Sequence, residues 1–529
     1  MKGIRVAAAV ALVVSAAACG SSSDGGERTD LADSATYVTT IPADPGNLHP
    51  LKTVRQTTNS VDTFAYDTLV NIDPSGTVVP QLAQDWHVTD RSVTFTLKDG
   101  ITCSDGSELT AKAVADNFTW IKDPSNASSV IGSGIPSTDY TVKYDNAAGT
   151  VTITMGSPFG FLLEGAGTGV RIVCPKGLAD PDSLAHATDG TGPYVLTDYA
   201  ADDHLTLSVR DDYTWGPNGA TTDTPGVPDQ VEFRVVQNST TAVNLFLSGE
   251  LTDVTPNSSD QARLEGRDAF TLDTEQGPSE FFFNERDGFP TADPDVRQAL
   301  TMALDREALM AAETEGEGTM ADGLAVIAPR PCPKDTVSGH LPDHDAEAAG
   351  ELLDQAGWTM GSDGVRSKDG EDLTVTLSYP TGEPAIEAAM ELVRGWWEDI
   401  GVSVEPKGQN QTAFLETLFG GTDWDAAFLN VQIAYPSDFV AFASGPTPPN
   451  GQNFAGITNP TYDRLTAEAA ATPTDEGGCD KWAAAEQALF EAADVVPISN
   501  NVTVTYADNA EFGPGIWNII EPTSIRMYE

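Results

Sequence analysis

The sequence predicts a mixed α/β protein, on three observations. Segments of alternating apolar residues are interspersed with segments whose apolar residues recur at helical spacing. Several of the helical segments carry their own start and stop residues, and 529 residues exceed what one hydrophobic core usually serves. Such interspersion points to packed α/β units rather than a bundle or a sandwich. In chain order, VTFTLKDG (93–100) is the first clear strand signal. Asp99-Gly100 and Asp105-Gly106 then read as turn pairs, and Thr110 as the N-cap of a helix whose apolar face is Ala111, Val114, Ala115, Phe118 and Ile121. The acids crowded there suggest a calcium loop, but counting from Asp99 puts Ile101 and Cys103 at the third and fifth ligand places, where neither supplies a side-chain oxygen.

Strand alternation resumes in 140–155, DHLTLSV (203–209) and QVEFRVV (230–236). DPDVRQALTMALDREAL (293–309) reads as a helix capped by Asp293, with Pro294 first and Val296, Ala299, Leu300, Ala303 and Leu304 on one face. In DAEAAGELLDQAG, Asp345 caps, Ala349, Leu352, Leu353 and Ala356 form the stripe, and Gly357 stops the helix. DLTVTLSY (372–379) is another strand, followed by a helix from Pro384 to Gly401 with Ile386, Ala389, Met390, Val393, Trp397 and Ile400 inward. No short tandem repeat suggests a solenoid or propeller.

The first twenty residues, MKGIRVAAAVALVVSAAACG, place Lys2 and Arg5 before an apolar run from Val6 to Val14 and small residues ending at Cys19. The run is too short to span a bilayer, so residues 1–18 are expected to be a secretory signal. The ending resembles a bacterial lipobox, in which the signal is cut before Cys19 and its sulfur is acylated. The polar SSSDGGERTD would then lie in a flexible tether, residues 19–35, with the folded body starting near Ala35. The expected location is the outer face of the cell membrane, lipid-anchored, in a Gram-positive type of envelope. Removing residues 1–18 takes away Lys2 and Arg5 and no acid, so the formal charge moves from −51 to −53. Nucleic acid is thereby excluded as a partner, since phosphate binding needs clustered Lys and Arg. The acidity reads as a solvated coat suited to an exported protein.

Beyond Cys19 stand Cys103, Cys174, Cys332 and Cys479, with no CxxC pair and no Cys/His spacing suited to zinc. An even count in an exported chain reads as two disulfides, with three pairings open. His340 and His344 are spaced as i and i+4, but Pro342 between them disfavours a helix and hence a two-His metal face. No metal or cofactor is expected. A secreted hydrolase is the rival class, and the chain carries no GxSxG elbow, HExxH pair or P-loop.

VVPQLAQDWHVTDRSVTFTLKDGITCSDGSELTAKAVADNF (78–118) resembles the signature region of the family 5 extracellular solute-binding proteins, the peptide- and nickel-binding components of ABC importers. Four later segments agree in order: GTGPY (190–194), FFFNERDGFPTADPDVRQALTMALDRE (281–307), HDAEAAGELLDQAGW (344–358) and ADVVPISNN (493–501). The resemblance implies a type II periplasmic-binding-protein-like fold, non-enzymatic, in which two α/β lobes close on a ligand and the first is interrupted by an extra domain. Mapped here, lobe I is 36–75, 190–277 and 499–529, the inserted β-rich domain 76–189 and lobe II 278–498, with hinge crossings near Gly277 and Ser499. On that division the favoured pairing is Cys103–Cys174 in the insert and Cys332–Cys479 in lobe II.

The resemblance also implies where ligand sits: DPGNLHP (44–50), the run Phe281 to Asn284, and FLNVQIAYPSDF (428–439). The candidates are Asn47, His49, Phe281, Phe282, Asn284, Trp424, Asn430, Gln432, Tyr435 and Asp438. In peptide-binding members the last region supplies an acid for the peptide's ammonium group; Gln432 stands at that place, and Asp425 or Asp438 is the expected substitute. The expected function is capture of a small polar solute, with oligopeptide or dipeptide leading and sugars or metal chelates as alternatives, for a permease and ATPase complex. The receptor is expected to be monomeric. A sensory or scaffold lipoprotein on the same fold is the other alternative.

Overall fold

A computed structural model describes residues 30–53, 55–131, 134–327, 330–420 and 423–529, without the side chains of Ser258 and Asp475. The signal 1–18, Cys19 and most of the tether lie outside the described residues.

The first half builds two four-stranded sheets. One runs, in spatial order, Thr36–Ile41, Gln230–Val235, His204–Val209 and Tyr194–Ala200, its first pair parallel and the rest antiparallel. The other is the antiparallel set Ala83–Val88, Ser92–Leu97, Thr150–Met155 and Tyr140–Asp145. Phe64, Tyr194 and Phe233 from around the first sheet and Val93, Phe95 and Val151 from the second belong to one continuous core. The helix Ala111–Lys122 closes over it, started by Thr110, whose hydroxyl accepts from the Ala113 N–H at 3.2 Å. Its five predicted apolar positions are all buried, and the turns before it hold Gly100 and Gly106 at φ +78° and +82°, where only glycine is unstrained.

A mixed sheet of seven strands organises the second half. Its main path is Asp253–Val254, Val495–Ala507, Phe270–Phe283, Ala426–Asn430, Thr374–Pro380 and Ser403–Gln409, with Thr319–Met320 pairing off Val495–Ala507. The helix Pro384–Asp399 packs on it through Met390, Val393 and Trp397, and the Trp397 indole donates to the Leu300 carbonyl at 3.0 Å. The segment 293–309 is not one helix. It stops at Met302, and Asp305 starts a second helix, Arg306–Glu313, by accepting from the Ala308 N–H at 3.0 Å. A capping acid inside an apolar periodicity wins over the period, because it offers the backbone an alternative partner.

Two long strands join the cores. Phe270 and Leu272 pack against the first core and Phe281, Phe282 and Phe283 in the second; the partner strand runs from Val495, Val496 and Ile498 in the second to Ala507 in the first. Their register slips between Glu275 and Pro278 and again between Ser279 and Glu280. Such irregularities bend a strand pair locally. The disulfides are Cys103–Cys174 and Cys332–Cys479, as the resemblance implied; the first lies within the first core, and Cys332 of the second packs beside Trp482 and Tyr435. Among the described residues no helix is long and apolar enough to cross a membrane.

Candidate ligand site

Where the two long strands of the seven-stranded sheet pass into the second core, the molecule holds a cavity of about 750 Å³. Gln276 and Ser279 come from one crossing strand, and Asn501 from the other. Asn430 and Gln432 come from the end of Ala426–Asn430 and the loop after it. Glu313, the last residue of its helix, closes the floor, while Phe414, Phe428 and Ile386 supply an apolar wall. A cavity of this size suits a small organic molecule or a short peptide. Among the described residues no Lys, Arg or His lines it.

Glu313 is the buried acid of the cavity, 7% exposed. The Ser279 and Ser499 hydroxyls both donate to its Oε1, each at 2.6 Å. Burial pushes the carboxyl up to about 7, against the lowering effect of the two hydroxyls. Glu280, next along the strand, is fully buried, and burial holds its carboxyl well above the ordinary range. Glu313 escapes a sequence reading aimed at motifs, yet it left a signal. Leu309 and Glu313 are the buried residues of their helix, four apart, so the acid occupies a core-facing position of the stripe.

Of the residues expected at the site, Asn430 and Gln432 line this cavity. The Asn430 amide donates to the Gly277 carbonyl, and Gly277 leaves no room for a side chain because a Cβ there would meet Gln432 Cγ at 2.9 Å. The others lie elsewhere. Phe281 packs on Trp397 and Phe428, Phe282 on Phe439 and Phe454, and Trp424 on Phe454, all within the second core. Asn284 ties chain segments together, donating to the Trp424 carbonyl at 2.9 Å. Asp425 accepts from the Thr376 N–H at 2.7 Å, and Asp438 from the Tyr435 N–H at 3.2 Å, so both carboxyls serve the local backbone. Burial raises Asp438 to about 6.

In the first core, Asn47 accepts from the His49 N–H at 2.9 Å. The buried His49 ring stacks on Trp120 at 4.9 Å, and burial, then Lys52, lowers its pKa to about 4. Tyr435 sits in a small separate cluster that joins the two halves. Its ring stacks on Phe161 at 5.3 Å, Phe161 stacks on Trp482 at 5.5 Å, and the Tyr435 and Thr168 hydroxyls are 3.1 Å apart. Beside it the Thr474 hydroxyl donates to Glu164 at 2.6 Å. Arg330 pairs with Asp322 at 2.7 Å and with Glu275 on the crossing strand. These contacts hold the two halves together away from the cavity.

Residues 77–453 match the model of the bacterial extracellular solute-binding proteins, family 5 Middle. Protein XP55 of Streptomyces lividans is 30% identical over 407 residues, 71% of this chain and 67% of the relative. The periplasmic murein peptide-binding protein MppA of Escherichia coli (strain K12) is 26% identical over 522 residues, 92% of each chain. The unliganded open form of MppA covers 95% of this chain and 99% of its own at TM-score 0.78 and 23% identity. A substrate-binding protein from Microbacterium hydrocarbonoxydans, solved with 4-hydroxybenzoate hydrazide, is 26% identical at TM-score 0.65, covering 93% of this chain and 100% of its own. With the two-lobe α/β fold of type II periplasmic binding proteins and a family match over most of its length, this chain belongs to the family 5 bacterial extracellular solute-binding proteins, which bind rather than catalyse.

Proposed function

We propose that the chain is a lipid-anchored receptor, attached through Cys19, that takes a small polar solute into the 750 Å³ cavity and hands it to the permease and ATPase of an ABC importer. It works as a monomer. Oligopeptide or dipeptide is the leading solute class. The observation that carries the reading is the cavity's wall of side-chain amides, Gln276, Gln411, Asn430, Gln432 and Asn501, set against apolar Phe414 and Phe428. Amides donate and accept at once, which suits the alternating N–H and C=O groups of a peptide, and the aromatic wall suits its side chains. The relative MppA is named for binding murein peptide, in keeping with this class.

Under this reading the lobes are 36–75 with 190–277 and 499–529, and 278–498, the insert is 76–189, and the crossing strands bend near Gly277 and Ser499 to close on the solute. A non-peptide solute is the second reading. Two observations favour it: Gln432 is neutral, and the Microbacterium protein was solved with an aromatic hydrazide.

Native mass spectrometry of gently purified residues 27–529, followed by a thermal-shift titration with any co-purified mass, tests the proposal. A peptide that raises the melting temperature supports the leading class, and a sugar, chelate or aromatic amide that does so moves the function to the second. If no mass is carried and no member of a peptide and sugar panel shifts the melting point, solute capture is wrong.

A further inference from the structure

The cavity has a charge imbalance that narrows what it can hold. Among the described residues its lining includes the buried Glu313 and the exposed Glu383, and no basic side chain. Glu280 lies near Glu313 and adds a third acid to the surroundings. Glu313 is 7% exposed and receives its two hydrogen bonds on Oε1 alone, which leaves Oε2 without a donor among the described residues. That oxygen faces the cavity, where a cation or strong donor carried by a ligand would meet a carboxylate otherwise held only from its far side. Asp425 and Asp438 are spent on the backbone and line no part of the cavity.

We infer that Glu313 is the anchor for a cationic amine on the ligand, so the cavity selects small solutes carrying a free ammonium group beside an apolar portion and rejects those whose only charge is negative. The inference rests on the solute-binding reading above and deepens it. The ammonium seats against Glu313 Oε2 while Ser279 and Ser499 hold the carboxylate from the other side. Gln432 and Asn430 then meet neutral amide groups, and Phe414 and Phe428 face the apolar portion. The amine can come from the N-terminus of a short peptide or from a non-peptide organic amine, and these share one chemistry at Glu313. Because burial keeps the carboxyl near 7 without ligand, an arriving ammonium at neutral pH drives a proton off it.

The test is calorimetric titration of purified residues 27–529, wild type and Glu313→Gln, with three probes: tri-leucine, its N-acetylated form, and phenethylamine as a non-peptide amine. Free-amine probes should bind wild type and lose about 30-fold or more in affinity with Glu313→Gln. The N-acetylated peptide should bind both proteins weakly and equally. Repeating the titration in phosphate and in Tris at pH 7 should show release of about half a proton per ligand in wild type and none in the variant. Tri-leucine binding supports a peptide source, and phenethylamine binding alone a non-peptide one. Equal affinity of a free-amine probe for the two proteins, or acetylated peptide binding as tightly as the free amine, overturns the anchor. If amines fail while neutral sugars or acids bind wild type, the anchor is wrong and solute capture stands; if nothing binds, both readings fall. Thermal melts of the ligand-free variant separate misfolding from lost recognition, since a well-folded Glu313→Gln should melt within a few degrees of wild type.

Discussion

Asp67 in the first core and Glu313 in the second are both buried carboxyls raised by burial, to about 6 and about 7, yet they are differently placed. Asp67 receives four donors: Gln81 at 2.8 Å and Tyr213 at 2.9 Å on Oδ1, Thr191 at 2.9 Å and Trp215 at 3.0 Å on Oδ2. The pocket it borders holds only about 30 Å³, room for water and little else. Glu313 receives two donors, both on one oxygen, and borders a cavity of about 750 Å³. The difference teaches that burial alone does not mark a binding group. A carboxylate whose four acceptor directions are filled holds its surroundings in place, and one left half-filled beside open space is arranged for something that arrives later.

The largest expected effects bear on how independently the two halves are held. Cys332–Cys479 spans 147 residues of sequence and Cys103–Cys174 spans 71. Chain-entropy arguments give losses of about 5 and about 4 kcal/mol when each pair is replaced by serines. Urea titrations should show a separate early transition for the half that lost its bridge. A single unchanged transition would mean the halves unfold as one body and weaken the contrast between them.

Next in size, Asp67→Asn leaves at least one donor facing an amide N–H and should lose about 3 kcal/mol in urea unfolding at neutral pH, whereas ligand-free Glu313→Gln removes a charge that burial disfavours and should lose no stability. Similar losses for both variants would break the comparison.

Stability against pH is the third test. Both groups are raised in the folded protein above their ordinary values of 3.8 and 4.5, so the folded state binds more protons than the unfolded one between those values and about 6 to 7. Stability contributed by protonation is then complete below about pH 4 and lost as pH rises through about 6 to 7. Wild type should be more resistant to urea at pH 5 than at pH 8. Glu313→Gln should remove part of that difference, and an unchanged pH profile would contradict the placement of Glu313. The smallest effect is local: Thr110→Ala removes one helix cap and should lose about 1 kcal/mol, with no effect on ligand affinity.

The fold was legible where chemistry is local. Thr110, Asp293 and Asp345 cap the helices assigned to them because a short polar side chain reaches an orphan N–H within its own turn. Gly357, at φ +90°, ends its helix for an equally local reason. The break at Asp305 was missed because apolar spacing continues across it. The lining of the cavity was legible in part. Asn430 and Gln432, taken from 428–439 on the family pattern, line the cavity, while Phe281 and Phe282 from 281–284 and the nearby Trp424 lie in the core. Alternation along a strand puts neighbours on opposite faces, and only pairing across the sheet decides which face meets open space. Glu313 lies just outside the family segment 281–307, and what brings it to Ser279 and Ser499, 34 and 186 residues away, is tertiary.

Solute is expected to seat where the crossing strands of the seven-stranded sheet pass into the second core. Hydrogen–deuterium exchange of wild-type protein, with and without a solute that raises its melting temperature, tests it most directly. The account predicts added protection concentrated in 276–280, 428–432 and 499–501 and in the helix ending at Glu313. Protection confined instead to the Asp67 network, around 63–81 and 213–215, would place the solute in the other half and contradict the account.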